Sequence, residues 1–173
     1  MDQVARLTAT AIALLCLTIG FPSTGYPAQQ QKAGDSAKTN LEIDLPDVVA
    51  DVRKAYDRYN QAVNTNDVAV LNETFRNDMR TIRYGQAENL YGYKEIEAFR
   101  GAPRLPAGPP RTLSKTVITT YGRDFAVAST LTHRASAPGK VGRQMQTWVR
   151  FPDGWRVVAA HVSTIDEPPA GKP

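Results

Sequence analysis

The sequence predicts an α+β domain with its helices first and an antiparallel sheet after them. Three observations carry that reading. Helical spacing of apolar residues is confined to the first half, β-branched and alternating segments follow Arg111, and short turn signals join those segments. Pro46 suits a first helical position, and Val48, Val49, Val52, Tyr56, Tyr59 and Val63 then recur at helical spacing, up to a stop at Asn64 to Asn66. Asp67 reads as the N-cap of a second, short helix holding Val70, Leu71 and Phe75. Thr81 to Tyr84 reads as a short strand, and Gly92 precedes a third helix with Ile96 and Phe99 on one side. Gly101 to Pro110 is rich in proline and glycine and reads as a loop. Four strand segments come after it: Val117 to Tyr121, Phe125 to His133, Gln144 to Phe151 and Trp155 to Thr164. Pro138-Gly139 and Pro152-Asp153-Gly154 supply turns between them. A sheet curved around a long helix leaves a cone-shaped space, so a site is expected between helix and concave face.

The termini read differently. Arg6 gives a positive start, Leu7 to Ile19 an apolar run, and Gly20 to Gly25 a stretch of small and helix-breaking residues. That is the layout of a secretory signal peptide over residues 1–25, too short for a comfortable membrane span. A periplasmic or secreted protein is expected, with no stable membrane insertion after cleavage. Residues 26–43 read as a flexible linker, 44–165 as the domain and 166–173 as a loose tail. Cleavage would remove Cys16, the only cysteine, and with it any disulfide or thiolate site. His133 and His161 are the only imidazoles and lack a metal-binding spacing, so no metal is expected. The formal charge of +4 is spread along the chain without a run of Lys or Arg, which argues against nucleic acid. Basic excess around a pocket suits a small anion instead.

Several runs carry a resemblance. Arg83-Tyr84-Gly85, Ala87 to Tyr93, Ile96 and Phe99-Arg100 resemble the AtzH/HpxZ-like branch of the NTF2/SnoaL-like superfamily. So do Val117 to Ala126, Gly142 to Gln144, Gln146 to Pro152 and Gly154 to Ser163, and the match runs from about Leu45 to Ser163. The resemblance implies an NTF2-like cone, often dimeric, so a homodimer is expected. It further implies cofactor-free decarboxylation of a dicarboxylated urea to allophanate, or related oxalurate chemistry. The family's helix tyrosine and its Arg of the RYG motif fall on Tyr59 and Arg83. An export signal departs from what those cytoplasmic pathways would lead one to expect.

On this reading Arg83 holds a carboxylate bidentately, and Tyr59 donates a proton or steadies developing negative charge. The competing accounts are a solvated surface Arg and a core aromatic. Glu88 and Asn89 lie near the strand end, either as a turn or as groups that fix Arg83 and the ligand. Gln144, Gln146 and Trp148 share one strand face, and inward amides would read the polar atoms of a urea-like ligand. His161 is a candidate donor or base, or a structural residue. Arg100 and Arg111 flank the Pro-rich loop, either adding positive potential at the pocket mouth or, as the simpler account, solvated at the surface. Neither a metal nor an organic cofactor is called for, because the urea carbonyl itself delocalises charge. Two readings stay open beside the lyase. One is a non-catalytic, exported, small-anion-binding protein. The other is an isomerase, for which no convincing buried Asp base is found.

Overall fold

The computed structural model describes residues 41–102 and 109–167. The segment read as an export signal, its expected cleavage point, linker residues 26–40, loop residues 103–108 and the last six residues lie outside the described residues. Three helices come first or between short strands: α1 (Pro46–Thr65), α2 (Val68–Thr74) and α3 (Tyr93–Gly101). Six strands form one sheet: β1 (Ile82–Tyr84), β2 (Asn89–Tyr91), β3 (Thr112–Tyr121), β4 (Phe125–His133), β5 (Lys140–Phe151) and β6 (Gly154–Asp166). Their order is β2-β1-β6-β5-β4-β3.

The helix boundaries follow from local chemistry. Pro46 begins α1, and Asn66 ends it in the left-handed region at φ 55°, a conformation that Asn tolerates better than most residues. The Asp67 carboxylate accepts the Val70 amide at 3.0 Å and caps α2, as its sequence position suggested. Phe75 lies just past α2 rather than inside it. It forms a parallel bridge to Val157 and is buried in the core. Gly92 starts α3 at φ 82°, close beside the Met79 backbone.

The sheet departs from the expected antiparallel meander in one respect. β3 to β6 do form that meander, but β1 joins its edge parallel to β6, pairing Arg83 with Ala160, which makes the sheet mixed. β2 has no counterpart among the strands expected from sequence. Its three residues are too few to show alternation, and they pair with β1 from Tyr84–Asn89 to Ile82–Tyr91. β3 starts earlier than its β-branched run suggested. A register shift between Ser114 and Val117, with Lys115 at φ 50°, breaks the alternation there. At the ends, Ile43 bridges Tyr121, drawing the last linker residues onto the sheet. β6 runs to Asp166, which pairs with Lys140, so strand structure reaches the first residue assigned to the tail.

Helix α1 lays Val48, Val52, Tyr56 and Tyr59 on the inner face of the sheet. There they meet Ala126, Ala128, Trp148, Trp155, Val157 and Ala160. Tyr56 contacts Trp148 edge-on, with ring centroids 6.5 Å apart. Trp148 is wholly buried, so Trp148→Ala is expected to cost about 3–5 kcal/mol of stability, measured by urea denaturation.

Candidate functional site

Beyond the Tyr56–Trp148 contact the wedge between α1 and the sheet opens into a cavity of about 350 Å³. Its walls come from almost every element. α1 contributes Tyr59 and Val63, β1 Arg83, the β1–β2 loop Glu88, α3 Phe99 and Arg100, and β5 Gln144. Arg111 precedes β3, and Arg134 follows β4. Four arginines therefore face one glutamate across this space, which gives it a positive electrostatic character.

The arginines are held in different ways. Arg83 forms an ion pair with Glu88, and the two side chains are only 17% and 19% exposed. The Arg83 guanidinium also lies 5.3 Å from the Phe99 ring centroid. The loop that carries Glu88 is closed by the Gly85 amide donating to the Glu88 carbonyl at 2.8 Å. A Cβ on Gly85 would overlap the Glu88 carboxylate, so the glycine leaves the space in which Glu88 reaches Arg83. Arg100 is buried, donates to the Leu71 carbonyl at the end of α2, and covers the Phe75 ring at 4.2 Å. Arg111 is 7% exposed. It donates to Gln144 Oε1 at 3.0 Å and to Asn60 Oδ1, and its backbone amide donates to Asn64 Oδ1 at 3.2 Å. Burial draws the Arg111 pKa below its ordinary value, against the pull of Tyr59 and Tyr56, and Arg134 adds to the lowering. Burial likewise pushes the Tyr56 hydroxyl up.

Most of the residues singled out from sequence meet here. Tyr59 is buried on the cavity wall and leans on Phe75 with centroids 6.3 Å apart. Arg83 and Glu88 pair as the orienting role anticipated. Gln144 and Gln146 face inward at 2% and 1% exposure, correcting the solvent-facing alternative. Gln144 Nε2 and both amide atoms of Gln146 are buried without a partner among the described residues. Gln144 lines the cavity, whereas Gln146 lies two positions further along the strand, between Ala128 and Ala160. Trp148 belongs to the core under Tyr56 rather than to the cavity wall.

Two candidates lie elsewhere. His161 pairs laterally with Met145 and Tyr84 on the outer face of the sheet, is exposed, and meets the Tyr84 ring edge-on at 6.3 Å. It borders a separate outer groove with Met145, Arg143 and Ser163. Asn89 is exposed at the start of β2 opposite Tyr84 and does not line the cavity. For Arg100 and Arg111 the simpler account, surface solvation, fails: both are buried and line the cavity, on the side of the pocket-charge alternative. The available signal was their position at the two ends of a loop that follows a helix packed on the sheet.

The AtzH-like family model matches residues 41–168, which spans every described element. The chain belongs to the AtzH-like family. Among solved structures, a DUF3225-family protein of unknown function from Pectobacterium atrosepticum is 57% identical, with a TM-score of 0.69, over 72% of this chain and 95% of its own. A cystatin-like fold protein from Burkholderia xenovorans is 44% identical, with a TM-score of 0.70, over 74% of this chain and 99% of its own. An NTF2-like superfamily protein from Salmonella enterica, 23% identical with a TM-score of 0.54 over 73% of this chain and 97% of its own, shares the fold. No curated protein matches the chain. This AtzH-like protein thus has the NTF2-like α+β fold that the resemblance implied, with a cavity between helix and sheet.

The structural role of Arg100 is separable from the cavity's charge. Arg100→Met is expected to leave the Leu71 carbonyl short of a donor and to lower stability by about 1–3 kcal/mol, read from the shift in urea midpoint.

Proposed function

We propose that this AtzH-like protein is a cofactor-independent lyase that decarboxylates a small carboxylated urea or a closely related anion. One observation supports the reading above the others: Tyr59 and Arg83 line the same arginine-rich cavity. Its volume of about 350 Å³ lies near the small end of the range for ligand sites, which suits a compact polar metabolite.

The chemistry follows from those groups. The bond between the urea nitrogen and the carboxylate carbon breaks, CO2 leaves, and the electron pair stays on nitrogen and spreads into the urea carbonyl. Tyr59 donates its phenolic proton to that nitrogen, and water then restores the phenol. Arg83, oriented by Glu88, positions the reacting end. Gln144 offers an unspent amide donor to the urea carbonyl, where negative charge develops. With a dicarboxylated urea as substrate the products are CO2 and allophanate. The export signal read from Arg6 to Gly25 assigns this reaction to the periplasm or the exterior.

The test is CO2 release from the purified chain with dicarboxyurea and oxalurate. Tyr59→Phe and Arg83→Ala are each expected to slow release by about 100- to 10,000-fold with unchanged circular dichroism. Binding of these anions without CO2 release would replace the lyase with a small-anion-binding protein. Full activity in both variants would remove the mechanism.

A further inference from the structure

Two cations of the cavity wall, Arg83 and Arg111, differ in what already neutralises them. Arg83 has a carboxylate, Glu88, delivered by a loop in which Gly85 keeps the necessary space clear. Arg111 has none among the described residues. Its guanidinium rests on two neutral amide oxygens, Asn60 Oδ1 and Gln144 Oε1, and its Nε is buried without a partner. Amide oxygens satisfy donors but leave the charge uncompensated, and a buried, uncompensated charge is costly. Gln144 turns its oxygen to Arg111, so its unpartnered Nε2 remains beside that guanidinium as a further donor. The remaining arginines are placed otherwise. Arg100 is engaged with the Leu71 carbonyl and the Phe75 ring, and Arg134 is exposed at the rim.

We infer that Arg111, seated between Asn60 and Gln144, is the primary carboxylate anchor of this cavity, and that it takes the non-reacting acid group of a small dicarboxylate. The identity of the substrate rests on the lyase reading. The anchor itself does not, because it follows from charge and burial.

The division of labour also makes chemical sense. A scissile carboxylate loses its charge as CO2 departs, so a strong uncompensated cation on it would stabilise the ground state more than the transition state. The non-reacting carboxylate keeps its charge throughout, and holding it firmly fixes the substrate without that penalty. Arg83, tempered by Glu88, belongs at the reacting end, and Arg111 at the other.

Malonate, titrated calorimetrically into the purified chain and its variants, tests this. Asn60→Asp places a carboxylate directly on Arg111 from a residue that does not line the cavity. It is expected to weaken malonate binding by about tenfold or more. Gln144→Glu gives Arg111 the missing counter-charge where the amide N–H has no partner, so a higher Tm and weaker malonate binding are expected together. Arg83→Gln is expected to keep malonate affinity within about threefold while CO2 release is lost. The inference is overturned if malonate does not bind the wild-type chain, if Asn60→Asp and Gln144→Glu bind it like wild type, or if Arg83→Gln weakens it more than they do. Loss of the lyase reading looks different: malonate binding obeys the same pattern, and no urea derivative releases CO2.

Discussion

Tyr56 and Trp148 meet edge-on at 6.5 Å, both wholly buried, and this contact fixes where α1 touches the sheet. On one side of it the packing is apolar, with Val48, Val52 and Val157 fully excluded from solvent. On the other side, one turn further along α1, the inner surface becomes polar at Asn60, Arg111 and Gln144. The change of character is a consequence of size. Trp148 fills the gap between helix and sheet, whereas beyond it the sheet offers Ala128 and Ala160 beside Gln146. The cavity lies past this row, at Gln144 on β5, with Tyr59 and Val63 of α1 on its wall. The same helix that completes the core therefore roofs the site.

The electrostatics of the chain divide along the same boundary. Outside the cavity, positive charge is met by carboxylates at the surface, as in Arg150 with Asp51 at 3.0 Å or Arg58 with Glu73 at 2.6 Å. Such exposed pairs contribute little to stability. Inside, four arginines share a single glutamate, so the interior carries the imbalance that the net charge of +4 only hints at. A desolvated guanidinium on amide oxygens costs stability, and on the anchoring role proposed for Arg111 a bound carboxylate offsets that cost. Binding energy is thereby stored at the point where a ligand's charge is to be held.

How much of this was legible depends on whether the backbone kept its period. The 3.6-residue spacing of α1 held from Val48 to Tyr59, and it located both the core face and Tyr59 on the cavity wall. Alternation along β5 held from Gln144 to Trp148, so the inward face of three candidates was readable. Arg83 and Glu88 lie close enough in the chain for a short loop to join them, and their pairing was readable for that reason. Arg111 was not. It stands between a proline-rich loop and the stretch of β3 where Lys115 adopts a left-handed backbone and the register slips. Neither a period nor a neighbour in sequence announces that its partners are Asn60, from α1, and Gln144, from β5.

The misplacement of His161 has one physical cause, and the same cause builds the site. Counting by twos from the buried Trp155 and Val157 puts Ala159 and His161 on the inner face. The register against β5 instead jumps from Val157 at Trp148 to Ala159 at Thr147, so Val158 is an extra residue and the parity of the strand reverses after it. His161 turns outward beside Met145 and Tyr84, and Ala160 turns inward. Because β1 pairs Arg83 with Ala160, and β5 pairs Gln146 with Ala160, the reversal aligns Arg83, Ala160, Gln146 and Ala128 in one inward row across four strands. One inserted residue on β6 thus turns His161 to the outer face, places Ala160 on the inner one, and sets Arg83 beside it in the same inward row.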